Sequence, residues 1–243
     1  MAGKTRGRTA SKSMHDKRFP GEGADYRAAR DSLLREEIEL RRAIERVAEL
    51  RRGLPAGGPV REDYEFEEGL PDLSENQTVR PVRMSELFRS GWTSLVVYSF
   101  MYGPRMEVPC PMCTSLLDGL NGSAPHLAQR TNLVVVAKSP VHRLRAFARG
   151  RGWRNLRLLS SAGNSYSRDY HGEDEKGVQW PMLNVFVKRD GAIRHFWGSE
   201  MLFAPGDPRQ NSRHVDLVWP LWNVLDCTPE GRGKDWYPKL SYG

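Results

Sequence analysis

"WTSLVVYSFMYGPRMEVPCPMCTSLLDGL", residues 92–120, decides the fold. Its first eleven residues form a near-continuous apolar and β-branched run, the pattern of a strand buried on both faces. A loop containing Gly103, Pro104 and Pro109 follows, and then Cys110 and Cys113, three residues apart, where a helix begins. Free amide N–H groups and the macrodipole at a helix N-terminus favour a thiolate there. Cys110 is therefore the expected attacking thiol. Cys113, one turn on and entering the helix, is the expected resolving thiol that displaces a substrate sulfur from the mixed disulfide.

Downstream, "NLVVVAKS" reads as a second buried strand, "PVHRLRAFARGRG" as a helix opened by Pro140, and "LRLLSS" as a third strand. Strand, helix, strand, helix in this order predicts a βαβ unit on a parallel sheet. Gly119, Gly122 and Pro125 predict a kink or restart of the dithiol helix near Asn121. Residues 162–179, rich in Gly, Ser and charge, read as a surface loop, with Tyr166, Asp169 and Tyr170 as candidate lid residues. "MLNVFVKRDGAIRHFWG" gives two strands around Asp190-Gly191, the strongest short hairpin signal in the chain. "SRHVDLVWPLWNVLD" reads as a last amphipathic helix disturbed by Pro220.

Upstream, "EDYEFEEG" alternates Tyr64 and Phe66 with acids like a half-buried strand, and "MSELF" is one helical turn or two. From Asp25 to Arg52 the apolar residues Tyr26, Leu33, Leu40 and Val47 recur every seven positions, with Ile44 and Leu50 on the same side. Asp25 is the expected N-cap, Gly53 the expected stop, and Glu37 with Arg41 an i,i+4 pair. At 1.5 Å per residue this helix is about 40 Å long. It could lie across its own domain or pair with a second copy as a homodimer.

The 243 residues carry 37 Lys plus Arg against 30 Asp plus Glu, a net charge of +7. The first eighteen residues hold six of the cations against Asp16 alone, so this tail supplies +5 and everything else only +2. Such a segment is too polar to build a core and is expected to be disordered. A solubilising extension is the first expectation for it, a nucleic-acid or acidic-membrane role the lesser one. Three scattered cysteines make no disulfide framework, which points to a reducing cytoplasm. The basic start is not followed by the apolar stretch of a signal peptide, and the strongest apolar runs fall far short of the about 20 residues that span a bilayer.

The motifs "YEFEEG", "MSELF", "VVYSFMYGP", "CPMC", "PHLAQR", "GWRNLRLLSSAGNSY" and "VLDCTPEGRG" together resemble an uncharacterised thioredoxin-like family of predicted dithiol-disulfide oxidoreductases, related to the peroxiredoxin and thiol-specific-antioxidant group. The resemblance runs from Tyr26 to Gly231. It implies an α/β thioredoxin-like fold, a central mixed sheet flanked by helices, with Cys110 and Cys113 as the redox pair. Composition and pattern together give the expected organisation: a basic tail (1–24), a long helix (25–53), the thioredoxin-like domain (60–231) and a C-terminal tail (232–243). In the thioredoxin fold a cis proline faces the redox motif; Pro181, in "WPMLNVF", is its expected counterpart, and Trp180 before it is expected to shape a substrate groove. The partners implied are a protein or small-molecule disulfide and a thiol electron donor. No cofactor is implied, because the electrons reside on sulfur.

The chain also departs from its relatives. Thioredoxins proper carry Trp-Cys-Gly-Pro-Cys, whereas Pro109 precedes Cys110 here and Pro-Met fills the middle. The peroxiredoxin pattern Pro-x-x-x-Thr-x-x-Cys meets Gly103 and Glu107 instead, which disfavours peroxidase chemistry of that type. A structural zinc site needs four ligands, and beyond the pair only Cys227 remains among the cysteines. The rival readings are a copper-binding or delivery protein, in which the two thiolates join His171 or His214 around Cu(I), and a non-catalytic interaction module on the same fold. Cys227 is expected to be buried as a small apolar residue, or else to form a disulfide with another chain or with Cys110. His126 is expected at a helix start or in packing.

Overall fold

The computed structural model describes residues 13–55, 57–75, 77–208 and 211–242. Two compact units divide the chain, residues 1–54 and 55–243. In the second, seven strands form one sheet: β1 (Glu65–Gly69), β2 (Val79–Arg83), β3 (Ser94–Phe100), β4 (Asn132–Ala137), β5 (Arg157–Ser160), β6 (Leu183–Arg189) and β7 (Ala192–Gly198). Their spatial order is β2-β1-β5-β4-β3-β6-β7. Strands β3, β4 and β5 run parallel, while β6 and β7 on one side and β1 and β2 on the other are antiparallel additions. The helices, numbered along the whole chain, are α1 (Ala24–Arg52) in the first unit and α2 (Pro111–Leu127), α3 (Val141–Arg151), α4 (Tyr166–Asp169) and α5 (Pro220–Leu225) in the second. This is the thioredoxin-like α/β arrangement that the resemblance implies.

The strand alternation sorts side chains into two cores. Tyr98, Phe100, Val135, Ala137 and Leu158 face one side, where Leu116 and Leu117 of α2, Leu144 and Ala148 of α3 and Trp222 of α5 cover them. Leu95, Val97, Val134, Val136 and Leu159 face the other, against Tyr64, Phe66, Tyr166 and Phe186. Burial on both faces is why β3 and β4 read as unbroken apolar runs. Tyr166 is fully buried there, so the stretch 162–179 is not a plain surface loop and Tyr166 is no lid residue. Glu68 on β1 is also buried, held by Arg80 of β2 at 2.7 Å and Arg157 of β5 at 2.8 Å.

Three local expectations need correction. Helix α2 runs without a restart through Asn121. Pro125 lacks the N–H that would bond the Asn121 carbonyl, and the Asn155 Nδ2 group donates to that carbonyl instead at 3.1 Å. The segment around Pro220 is a 3-10 turn (Asp216–Val218) and then the six-residue α5 with Pro220 at its first position, where a missing N–H costs nothing. Residues 232–237 do not leave as a tail; they border a cavity described below. The hairpin is as expected: Asp190 and Gly191 both adopt positive φ, 52° and 75°, as a two-residue turn of this hand requires.

In the first unit α1 spans 29 residues. Gly23 is its N-cap, and Asp25 sits in the first turn, where a carboxylate favours the exposed N–H groups. Arg41 lies 3.9 Å from Glu45 rather than pairing with Glu37. Residues 1–12 of the basic tail, on which its disorder was expected, lie outside the described residues.

Candidate functional site

Beyond Phe100 the chain leaves the sheet and makes a fixed loop. Tyr102 accepts a hydrogen bond from the Ser139 amide at 2.9 Å, and the Cys110 amide donates to the Met101 carbonyl at 3.0 Å. Arg143 on α3 gathers the loop carbonyls: its guanidinium donates to Pro104 at 3.4 Å, to Glu107 at 2.9 Å and to Met106, and it stacks over the Tyr102 ring at 4.5 Å. One cation thus holds the segment that delivers Cys110.

Cys110 is the N-cap of α2, with extended backbone, and Pro111 takes the first helical position. The Thr114 amide and hydroxyl donate to the Cys110 carbonyl at 3.0 and 2.9 Å, closing the first turn. Cys110 is partly exposed, Cys113 is buried, and both are free thiols. The Cys110 thiol is lowered to about 6. The foremost cause is a hydrogen bond from Cys113, and the Cys113 and Met112 amides add to it against the cost of burial. Those amides make no full capping hydrogen bond to the sulfur, yet lie close enough to favour its charge. Cys113 moves well upward, first because it is buried and then because it is the donor to Cys110. Tyr98, buried beneath on β3, bonds Cys113 and is itself raised by burial.

The thiols open onto a cavity of about 600 Å³. Tyr98, Met101, Met112 and Pro181 form its inner wall; the chain from Asn211 to Tyr237 supplies the outer one, including His214, Trp219, Trp222 and Trp236. Burial lowers His214 to about 4, with Asp216 partly offsetting it, so its ring is neutral near pH 7.

The cavity thus unites Cys110, Cys113, Pro181 and His214. Trp180 does not line it; its ring lies edge-on to Phe203 at 6.0 Å. Among the described residues there is no cis peptide bond, so the Trp180–Pro181 bond is trans, contrary to expectation. Pro181 is placed instead by a tight turn in which the Met182 amide donates to the Trp180 carbonyl at 3.0 Å, while Ser99 continues the pairing with Met182 at 2.8 Å. His171 is exposed beside Phe203. Among the described residues no group of three or more His, Cys, Asp or Glu could hold a metal ion. His126 lies in the last turn of α2, at the opposite end from Cys110. Cys227 is exposed, not buried. Asp169, once a lid candidate, accepts hydrogen bonds from Tyr64 and Arg61 at 2.9 and 2.8 Å on the far face.

Sequence reasoning missed Tyr98, Arg143 and the aromatic wall. Period two along β3 was the available signal for Tyr98, since it shares a face with Phe100.

The mixed sheet with its flanking helices, carrying a partly exposed and a buried thiol at the start of the helix that follows a central strand, makes the chain a thioredoxin-like protein by fold. More particularly, it belongs to the family described as bacterial proteins of unknown function (DUF899), which matches residues 17–242. No curated protein sequence matches it. Among solved structures it is similar to thioredoxin peroxidase I of Plasmodium yoelii, at 16% identity over 78% of this chain and 99% of that one, with a TM-score of 0.44. It is similar also to the peroxidoxin BcpB of Mycobacterium tuberculosis, at 19% identity over 71% and 98%, TM-score 0.43. The exposed lipoprotein thioredoxin Etrx1 of Streptococcus pneumoniae is a further similar structure, at 13% identity over 65% and 98%, TM-score 0.38. No helix among the described residues is long and apolar enough to cross a membrane.

Proposed function

We propose that the chain is a thiol-disulfide oxidoreductase working through Cys110 and Cys113. The observation that carries this reading is the split between the two thiols: Cys110 is held toward the thiolate at the mouth of a cavity, while Cys113 is held protonated one turn deeper. The Cys110 thiolate attacks one sulfur of a disulfide R–S–S–R, forming Cys110–S–S–R and releasing R–S⁻. Cys113 then gives up its proton to the departing thiolate and attacks the Cys110 sulfur, expelling the second R–S⁻. Two electrons leave the dithiol, a Cys110–Cys113 disulfide remains, and a thiol donor restores it. Pro181, beside the pair, offers backbone against which a substrate can align.

The test is thiol trapping of the protein equilibrated across glutathione buffers, with Cys110→Ser as control. A reversible two-electron couple linking the two cysteines, between about −120 and −270 mV as for known dithiol catalysts, is the expected outcome. Absence of an intramolecular disulfide at every poise would sink the proposal.

A further inference from the structure

Building on the redox reading, we infer that the substrate of the Cys110–Cys113 pair is a small disulfide bearing negative charge, taken into the cavity rather than a folded protein docked on an open groove. Size comes from the wall. The chain between Asn211 and Tyr237 folds over the dithiol and is anchored to α2, where the Trp219 indole N–H donates to the Ser115 hydroxyl at 3.3 Å. Trp219 and Trp222 are buried in that wall and pack edge to face at 5.5 Å, and Trp222 meets Trp236 at 5.9 Å. About 600 Å³ suits a small ligand.

Charge comes from the same segment. Arg213, Arg232 and Lys234 border the cavity; among the described residues Asp216 is the one carboxylate that lines it, and Asp226 lies behind Arg232. Arg232 is committed to Asp216 at 2.7 Å and to Asp226, and it lies over the Trp222 ring at 5.4 Å. Arg213 touches Asp216 only loosely, at 4.0 Å. Lys234 is exposed and forms no ion pair among the described residues. His214, neutral near pH 7, adds no charge of its own. Two cations are therefore left to meet a ligand anion, beside aromatic edges that fit its apolar part. The exchange itself is the one already balanced, with R carrying a carboxylate.

Three probes of similar size separate the possibilities: dithiodipropionate with two carboxylates, the neutral bis(2-hydroxyethyl) disulfide, and cystamine with two ammonium groups. Each is mixed with the reduced full chain, and formation of the Cys110–Cys113 disulfide is followed by quenched thiol trapping. Rates are normalised to those of the same probes with free dithiothreitol. The normalised rate for dithiodipropionate is expected to exceed that for cystamine by about tenfold or more, and the advantage to shrink as salt is raised. In Lys234→Glu, an exposed position, and in the double variant with Arg213→Glu, the ratio is expected to fall toward that of dithiothreitol or invert. A native ratio equal to the dithiothreitol ratio, a ratio indifferent to both variants, or oxidation by a disulfide-bonded protein such as insulin as fast as by dithiodipropionate overturns the inference alone. Failure of all three probes to produce any Cys110–Cys113 disulfide removes the redox reading and this inference with it.

Discussion

The two faces of one sheet bury ionisable groups to opposite ends. On the far face Tyr64, Tyr166 and Tyr170 pack against one another, and Tyr166 and Tyr170 against Phe186, with ring centroids 4.8–6.1 Å apart, and all three phenols are held up by burial. On the near face Cys113 and Tyr98 are buried just as deeply, yet their neighbour Cys110 is moved down. Burial alone makes a titratable group inert. What separates Cys110 is its place at the start of a helix, with amides and a thiol donor directed at it and a cavity in front. The tyrosine cluster has donors for Asp169, and what favours a Tyr170 phenolate, a hydrogen bond from Tyr64 and the charge of Arg61, is outweighed by burial.

The largest effect that could break this contrast is on thiol reactivity. Iodoacetamide should label Cys110 about a hundredfold faster than Cys113 at pH 7, because rate follows thiolate fraction and access. The Cys110 rate should titrate with a midpoint near the value of about 6 already given. Cys113→Ala removes the foremost cause of the depression, so the midpoint should rise by about one unit or more. Mass spectrometry of the labelled peptides reads both. Equal labelling of the two thiols, or a midpoint indifferent to Cys113, would remove the distinction between the faces.

A smaller effect is expected in stability against pH. Cys110 titrates near 6 when folded and near 9 when unfolded, so between these values the unfolded chain binds more protons and stability rises with pH. The contribution is complete above about 9 and is lost as pH falls through about 6. Cys113, raised when folded, stays protonated in both states below about 9, and the tyrosines of the far face do not titrate in this window. The Tm of the reduced wild type minus that of Cys110→Ser should therefore widen from pH 6 to pH 9, by about 3 °C per kcal/mol for a chain of this size. A flat difference would mean that the thiolate is not favoured by the fold.

Much of this contrast was legible in the residues, for identifiable reasons. Unbroken runs such as "SLVVYSF" and "NLVVVA" announce strands buried on both faces, and the dithiol's position after one of them announces its helix. Asp190-Gly191 fixes its hairpin through local backbone preference. What stayed hidden depends on contacts distant in sequence. That Asn155 supplies the donor Pro125 lacks, that Arg143 collects the carbonyls ahead of Cys110, and that residues 211–237 return over the thiols are all consequences of packing, with no local signature. Tyr166 was misplaced because its polar neighbours in "AGNSYSRDYHGEDEKG" read as a loop, although four rings of the far face close around it.

The far face also offers the finest test. The Tyr166 hydroxyl is fully buried and has no hydrogen-bond partner among the described residues, whereas the Tyr64 hydroxyl donates to Asp169 at 2.9 Å. A buried polar group without a partner costs about 1–3 kcal/mol, and a satisfied one contributes about 1 kcal/mol. Tyr166→Phe removes the unpaired oxygen and keeps the ring, so thermal unfolding should show no loss and up to about 1 kcal/mol of gain. Tyr64→Phe should cost about 1 kcal/mol and leave Asp169 with Arg61 and Ser165. Neither change should alter the Cys110 labelling rate, since the sheet lies between. A destabilised Tyr166→Phe would place a partner, such as a trapped water, at that hydroxyl. The far face would then be a hydrated polar network rather than dry packing, and the difference between the two faces would rest on the helix start alone.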